Sequence, residues 1–181
     1  MKERPIDIAE AFARITSEAT GPRDASRRVV EALCHSACSL YAFVTRDDQN
    51  SPGGIAILSA AGLDAAAYRR LEQRAASTAL MRVFDQKEVI YLLINDEPSL
   101  DFLVVSGKSV ELIVAPFKID ETRMGCVAAA FDKRKLDDRR ETVALVRLAA
   151  LAVARTIRVD DIRRNSTDQA SEDEAAVQLA L

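Results

Sequence analysis

The chain has 181 residues, 49% of them apolar and 29% charged, with a formal net charge of -3. That length and composition fit one globular domain with a single hydrophobic core and exclude global disorder. The segment 165–181 alone carries -4, through Asp168, Glu172, Asp173 and Glu174, which leaves the body at +1, so charge gives no footprint for direct binding of nucleic acid or an anionic membrane.

In chain order, Ile8, Phe12 and Ile15 recur at helical spacing and predict a first helix over Asp7–Ala19. Gly21-Pro22 stops it. Asp24 then reads as an N-cap for a second helix, Ala25–Ser36, with Val30, Leu33 and Ala37 on one stripe. Two strands follow, Ser39–Thr45 and Gly54–Ala60, joined by a polar turn and forming a hairpin. Tyr68, Leu71, Ala75 and Ala79 mark a helical region with a break near Ser77-Thr78 and a short continuation to Phe84. Glu88–Ile94 is a third strand. Ser99 caps a short helix through Val105, and Gly107 ends it.

Ser109–Lys118 and Met124–Phe131 are apolar at successive positions, the pattern of strands covered on both faces. The connection between them is too short for a crossover, so they pair antiparallel, with helices expected on both sides of the sheet. Asp137 or Asp138 caps a last helix running to about Arg164; with Asp138 as cap, Glu141 takes the capping-box position. Its apolar residues spread over more than one face, which predicts a second partner besides the sheet, either the first helix or another subunit. The expectation is a parallel homodimer through the first and last helices. Residues 165–181 read as an acidic disordered tail or linker, although Ala175–Leu181 is compatible with a further helical turn.

No signal peptide is read at the charged N-terminus, and Arg147, Arg155 and Arg158 interrupt the longest apolar stretch, which argues against a membrane span. Three cysteines, Cys34, Cys38 and Cys126, with no secretory signal point to free thiols in a reducing cytoplasm. Cys34-His35-Ser36-Ala37-Cys38 places two thiols four apart around the single histidine. No third and fourth ligand is evident nearby, and free cysteine is commonly a buried apolar residue, so structural cysteines are expected and no metal site is assigned. No hydrolase triad can form without His35. No nucleophile elbow or P-loop spacing occurs either, so no catalytic residues are assigned and the chain is read as a non-enzyme.

The element order, and above all the sequence from Ser109 to Ile157, resembles the GAF domain. Ala115-Pro116-Phe117 ends one strand, Met124-Gly125-Cys126 opens the next, and Leu136–Ile157 carries a charged turn into a Leu- and Ala-rich helix. The resemblance covers residues 6–164 and implies an α+β fold, a central antiparallel sheet of five to six strands with helices on both faces. Terminal helices would pack on one face and a small-molecule pocket would lie on the other, roofed by Leu63–Phe84 and Pro98–Lys108. Pro116 should sit at a strand end or beside an unpaired edge, and Gly125 where a side chain would obstruct a close approach or where a bulge is needed.

The resemblance implies a sensory domain that binds an unidentified small molecule and reports to an output partner. The alternatives are a ligand-free dimerisation module and, behind it, a thiol-based redox enzyme or switch. Tyr41, Phe43, Tyr91, Phe102 and Phe117 are candidates for an apolar pocket wall, with Arg82, Thr45 and Ser106 as polar groups and Cys126 as the one cysteine near it. Against each aromatic stands the plain reading that it fills the core. Some GAF proteins reduce free methionine sulfoxide with cysteines in the middle of the domain; Ser39–Gly125 contains none, which argues against that chemistry. Bilin attachment fails in the same way. The mixed-sign run Asp132–Glu141 reads as a solvated turn and helix start.

Overall fold

A computed structural model describes residues 5–48, 50–51, 54–74, 80–136 and 138–179, with side chains over 6–48, 50–51, 54–73, 80, 82–136 and 138–163. Helix α1 spans Pro5–Glu18 and buries the predicted stripe of Ile8, Phe12 and Ile15. Helix α2 spans Pro22–His35, starting three residues before the expected Ala25. The reason is Pro22: its fixed φ and missing N–H suit the first helical position, so the Gly21-Pro22 pair that ends α1 also begins α2. Asp24 is therefore not the cap but lies in the first turn. There it bonds the side chains of Arg28 and Arg27 and accepts from the Thr20 N–H, and these partners hold its carboxyl down at about 2.

Strands β1 (Tyr41–Asp47), β2 (Ile55–Ala61), β3 (Ile90–Leu93), β4 (Val110–Lys118) and β5 (Met124–Asp132) form one sheet in the order β2-β1-β5-β4-β3. Every adjacent pair is antiparallel, including the predicted β1–β2 and β4–β5 hairpins. After β2, Gly62 turns the chain at φ +74, where an added Cβ would lie 2.5 Å from the Leu40 carbonyl oxygen. Helix α3 (Ala65–Arg74) follows, its first turn capped by Asp64, which accepts from the N–H groups of Ala66 and Ala67. The expected break at Ser77-Thr78 lies outside the described residues. Helix α4 spans Met81–Gln86, and short 3-10 helices cover Ile94–Asp96 and Pro98–Leu103.

Helix α5 begins at Arg139, where Asp138 accepts from the Arg140 and Glu141 N–H groups as the predicted N-cap. It continues to Leu179, roughly 60 Å at 1.5 Å per residue, beyond the end expected near Arg164. No Gly or Pro interrupts 165–179, and the Ala, Gln and Glu there are good helix formers, so low hydrophobicity does not end the helix. Among the described residues, no helix is long and apolar enough to cross a membrane.

The sheet separates two cores. On one face Ala42, Val44, Ile113, Ala115, Val127 and Ala129 meet α1, α2 and α5. On the other, Phe43, Leu112, Val114, Ala128 and Ala130 meet Leu71 of α3, Val83 of α4 and Leu100 and Leu103 of the second 3-10 helix. The continuous apolar runs in β4 and β5 follow from this double covering, since alternate residues serve different cores.

Candidate functional site

The face covered by α3, α4 and the Pro98–Leu103 helix is where the sequence places a pocket. Four of the seven predicted site residues meet there: Tyr41, Phe43 and Cys126 are buried in this core and Phe102 packs at its margin. Their order follows strand alternation, with Tyr41 and Phe43 two apart on β1 and Cys126 opposite Thr45 on β5. The Tyr41 hydroxyl crosses from sheet to roof and donates to the Leu103 carbonyl at 2.9 Å. Thr45 Oγ1 and Cys126 Sγ lie 3.1 Å apart, buried together. Burial drives the Tyr41 phenol above its usual range and pushes the Cys126 thiol up to about 12, against the Thr45 hydrogen bond that works in the opposite sense. Both groups are neutral at ordinary pH. A thiol so held is a poor nucleophile, because the thiolate is the reactive form.

The other three predicted residues lie elsewhere. Arg82 is on the outside of the roof, paired with Glu97 at 2.7 Å, where it ties α4 to the loop ahead of the Pro98–Leu103 helix. Tyr91 is 43% exposed and carries the Arg139 guanidinium 4.2 Å above its ring, at the start of α5. Phe117 belongs to the helix-side core. A Cβ on Gly125 would come within 2.4 Å of the Phe117 ring and 2.8 Å of the Thr45 carbonyl oxygen, so this glycine admits the ring and the neighbouring strand, as its close-approach reading predicts. Pro116 pairs with Cys126 on the β5 side. On the other side β3 has already ended at the Ile90–Val114 pair, so the missing N–H lies beside an unpaired edge.

Thr45 is buried with Cys126, whereas Ser106 is exposed in the loop before β4. The Cys34–Cys38 segment divides among separate partners. Cys34 is half-buried, accepts from the Ser39 hydroxyl at 3.5 Å and reaches the Ala61 carbonyl at 3.7 Å; burial raises its thiol pKa. His35 is exposed with Nδ1 2.8 Å from the Glu31 carbonyl oxygen. Cys38 is exposed at φ 58 beside a cleft of about 300 Å³ that Lys108, Lys135 and Leu136 also line.

Sequence reading missed two polar features. Glu111, buried at 6% exposure in the middle of an apolar strand, pairs with Arg139 at the start of α5. A charge in an otherwise apolar strand was the available signal for it. The second is a cleft of about 740 Å³ where the α1–α2 corner, the β1–β2 hairpin and α5 meet; Arg46 and Asp48 line it. It depends on three segments far apart in sequence, and no local pattern announces it.

No family model and no curated protein matches the chain. Similar solved structures include the GAF domain of a phosphoenolpyruvate-protein phosphotransferase from Coxiella burnetii, at 15% identity over 90% of this chain and 96% of that one, with a TM-score of 0.64. The A. aeolicus nlh2 GAF domain in an inactive state aligns at 12% identity over 88% and 96%, with a TM-score of 0.62. The free methionine-R-sulfoxide reductase of Neisseria meningitidis, solved in complex with its substrate, aligns at 10% identity over 86% and 93%, with a TM-score of 0.56. These neighbours have different roles, so the likeness speaks to architecture and leaves function to the residues. With its antiparallel five-stranded sheet and helices on both faces, the chain has the fold of GAF domains.

Proposed function

We propose that this chain is a non-enzymatic regulatory module of a reducing cytoplasm that acts by associating with a second copy of itself through α5, with α1 alongside, and passes its state to an output partner. The observation that carries the reading is the outer side of α5. Leu148, Leu151, Val159 and Ile162 are 40%, 64%, 41% and 65% exposed, while Val146, Ala149, Val153 and Ile157 of the same helix are buried against the domain. With Arg155 between them, the exposed positions are spaced 3, 4, 4 and 3, close to the repeat of a helix–helix seam. Ile6 of α1, 63% exposed, adds to the apolar surface of the terminal helices. Solvent-facing Leu and Ile in register on a helix that already has a buried side are the signature of a second partner. A parallel pairing brings the two α5 extensions together, where an output partner can read them.

Light scattering on the size-fractionated chain tests this. The expected result is a dimer at micromolar concentration, converted to a monomer with unchanged circular dichroism by L151D combined with I162D. A wild-type monomer at high micromolar concentration removes the reading.

A second reading, small-molecule binding between sheet and roof, draws support from the convergence of Tyr41, Phe43, Phe102 and Cys126 beneath short elements. Its polar groups already satisfy one another, so a ligand must displace the Tyr41–Leu103 or Thr45–Cys126 contact to bind there. Native mass spectrometry decides it: a non-covalent adduct retained on each chain supports the sensor, and a clean apo mass after a metabolite screen removes it.

A further inference from the structure

The exposed stripe of α5 is basic as well as apolar. Between Thr142 and Val159 the helix has three arginines, Arg147, Arg155 and Arg158, all exposed, and no Asp or Glu. Arg155 sits inside the stripe, between Leu151 and Val159. Arg147 and Arg158, about three turns apart, share one flank of it. Arg139 pairs with Glu111 and Asp161 with Arg123, beyond the two ends of that stretch, and Arg158 donates to the Lys118 carbonyl oxygen. Beside Arg147 a cleft of about 430 Å³ opens between α5 and the edge of β4 that β3 leaves free. Val89, Pro116 and Leu151 give it an apolar wall, and Lys87 and Arg147 there outweigh Glu88.

We propose that this face takes an acidic amphipathic helix of the output partner, its carboxylates on Arg147, Arg155 and Arg158 and one large apolar side chain in the cleft beside Leu151. Such docking rests on the reading of the stripe as an association face. A second copy in parallel sets Arg155 against Arg155 in the middle of the seam, and opposed like charges keep that self-pair exchangeable. An acidic helix turns the same contact into attraction. The chain's own Asp168, Glu172, Asp173 and Glu174 belong to a helix unbroken to Leu179, so they do not fold back on the stripe. An anionic lipid surface is the other target of basic apolar helices, but those four acids along α5 are repelled by it and the stripe holds no aromatic residue to seat at the headgroups.

The test adds to the full chain a fluorescent helical peptide of about three heptads, with Leu at its core positions and Glu at its flanks, beside a twin with Lys for every Glu. Anisotropy should show saturable binding of the Glu peptide, about tenfold tighter or more than that of the Lys peptide, and weaker as salt rises from about 50 to about 300 mM. Light scattering should show the self-pair giving way to a one-to-one complex. R147E combined with R155E, folded by circular dichroism, should invert the preference, and L151D should abolish binding of both peptides. The proposal is overturned if the Glu peptide does not bind, if the two peptides bind alike, or if the charge-reversed variant keeps the wild-type preference. Binding to phosphatidylglycerol vesicles with no response to the Glu peptide overturns it in favour of a membrane. A wild-type monomer that binds the Glu peptide removes self-pairing alone, and a dimer that ignores the peptide removes the docking alone.

Discussion

Phe12, Leu33 and Val146 reach one face of the sheet from helices of 14, 14 and 41 residues; Leu71, Val83 and Leu103 reach the other from elements of 10, 6 and 6. Short helices are marginal in isolation, since nucleation is unfavourable and few bonds follow it. The roof elements therefore hold their shape mainly through contact with the sheet, with α3 touching the Pro98–Leu103 helix, whereas α1, α2 and α5 pack on one another more extensively. One sheet thus carries a stiff layer and a layer able to open by itself, and the stiff layer is the one with the exposed apolar stripe.

The largest effect should come from Phe12→Ala, which empties a buried site between α1 and its partners and costs about 3–5 kcal/mol of global stability. Leu71→Ala under the roof should cost less, about 2–3 kcal/mol, because short elements settle more readily into a cavity. Urea denaturation gives the totals and native-state hydrogen exchange gives their distribution. L71A should speed exchange across α3 and the Pro98–Leu103 helix while leaving β4 and β5 protected. Equal loss of protection on both faces in L71A would show that the layers open as one unit and break the contrast.

Alkaline pH sharpens it from the chemical side. Tyr41 and Cys126 both lie on the roof face, and burial raises both pKa values. A raised folded pKa gives stability that is complete below the unfolded value and falls as pH rises towards the folded one. For Cys126 the window runs from 9.0 to about 12, and for Tyr41 it opens at 10.0. Within its window each group should lower stability by about 1.4 kcal/mol per pH unit. Urea midpoints measured from pH 8 upward should fall more gently in C126A and in Y41F than in wild type. Parallel slopes in all three would mean that neither group is sealed from water.

Much of this architecture is legible in the sequence, and the reason differs by element. The β4–β5 hairpin announces itself by continuous apolar runs, a short turn, and the pairing of Pro116 with a free edge and Gly125 with a close approach. The same continuity hides which face a residue serves. In a strand covered on both sides, every position is apolar and parity carries no label, so Phe117 reads as pocket wall while its ring packs towards the terminal helices. Tyr91 misleads similarly: its alternation on β3 puts it beneath Arg139, outside the roof core. Arg82 is set apart for another reason: Glu97, fifteen residues away, holds it on the outer side of α4, where it borders a separate cleft with Tyr91.

Tyr41→Phe isolates a buried side-chain hydrogen bond between sheet and roof. It removes no volume from the apolar core but leaves the Leu103 carbonyl without its donor, a loss of about 1–2 kcal/mol. Exchange of the Pro98–Leu103 amides should accelerate more than that of α5. Were α5 affected equally, the hydroxyl would be supporting the whole sheet rather than the roof.

The smallest effect tests the stiff layer's own polar tie, and its sign of asymmetry matters more than its size. Glu111 has a side chain only 8% exposed, whereas Arg139, its partner, is 56% exposed and also rests on Tyr91. Removing the arginine strands a carboxylate away from water; neutralising the carboxylate strands a guanidinium that water can still reach. R139A should therefore cost about 1–2 kcal/mol and E111Q less than about 1 kcal/mol, both kept modest by the solvent around Arg139. Thermal denaturation of the two variants checks the order. If E111Q proves the more damaging, Glu111 is holding the β4 backbone rather than anchoring the first turn of α5, and the stiffness of that layer must come from its apolar contacts alone.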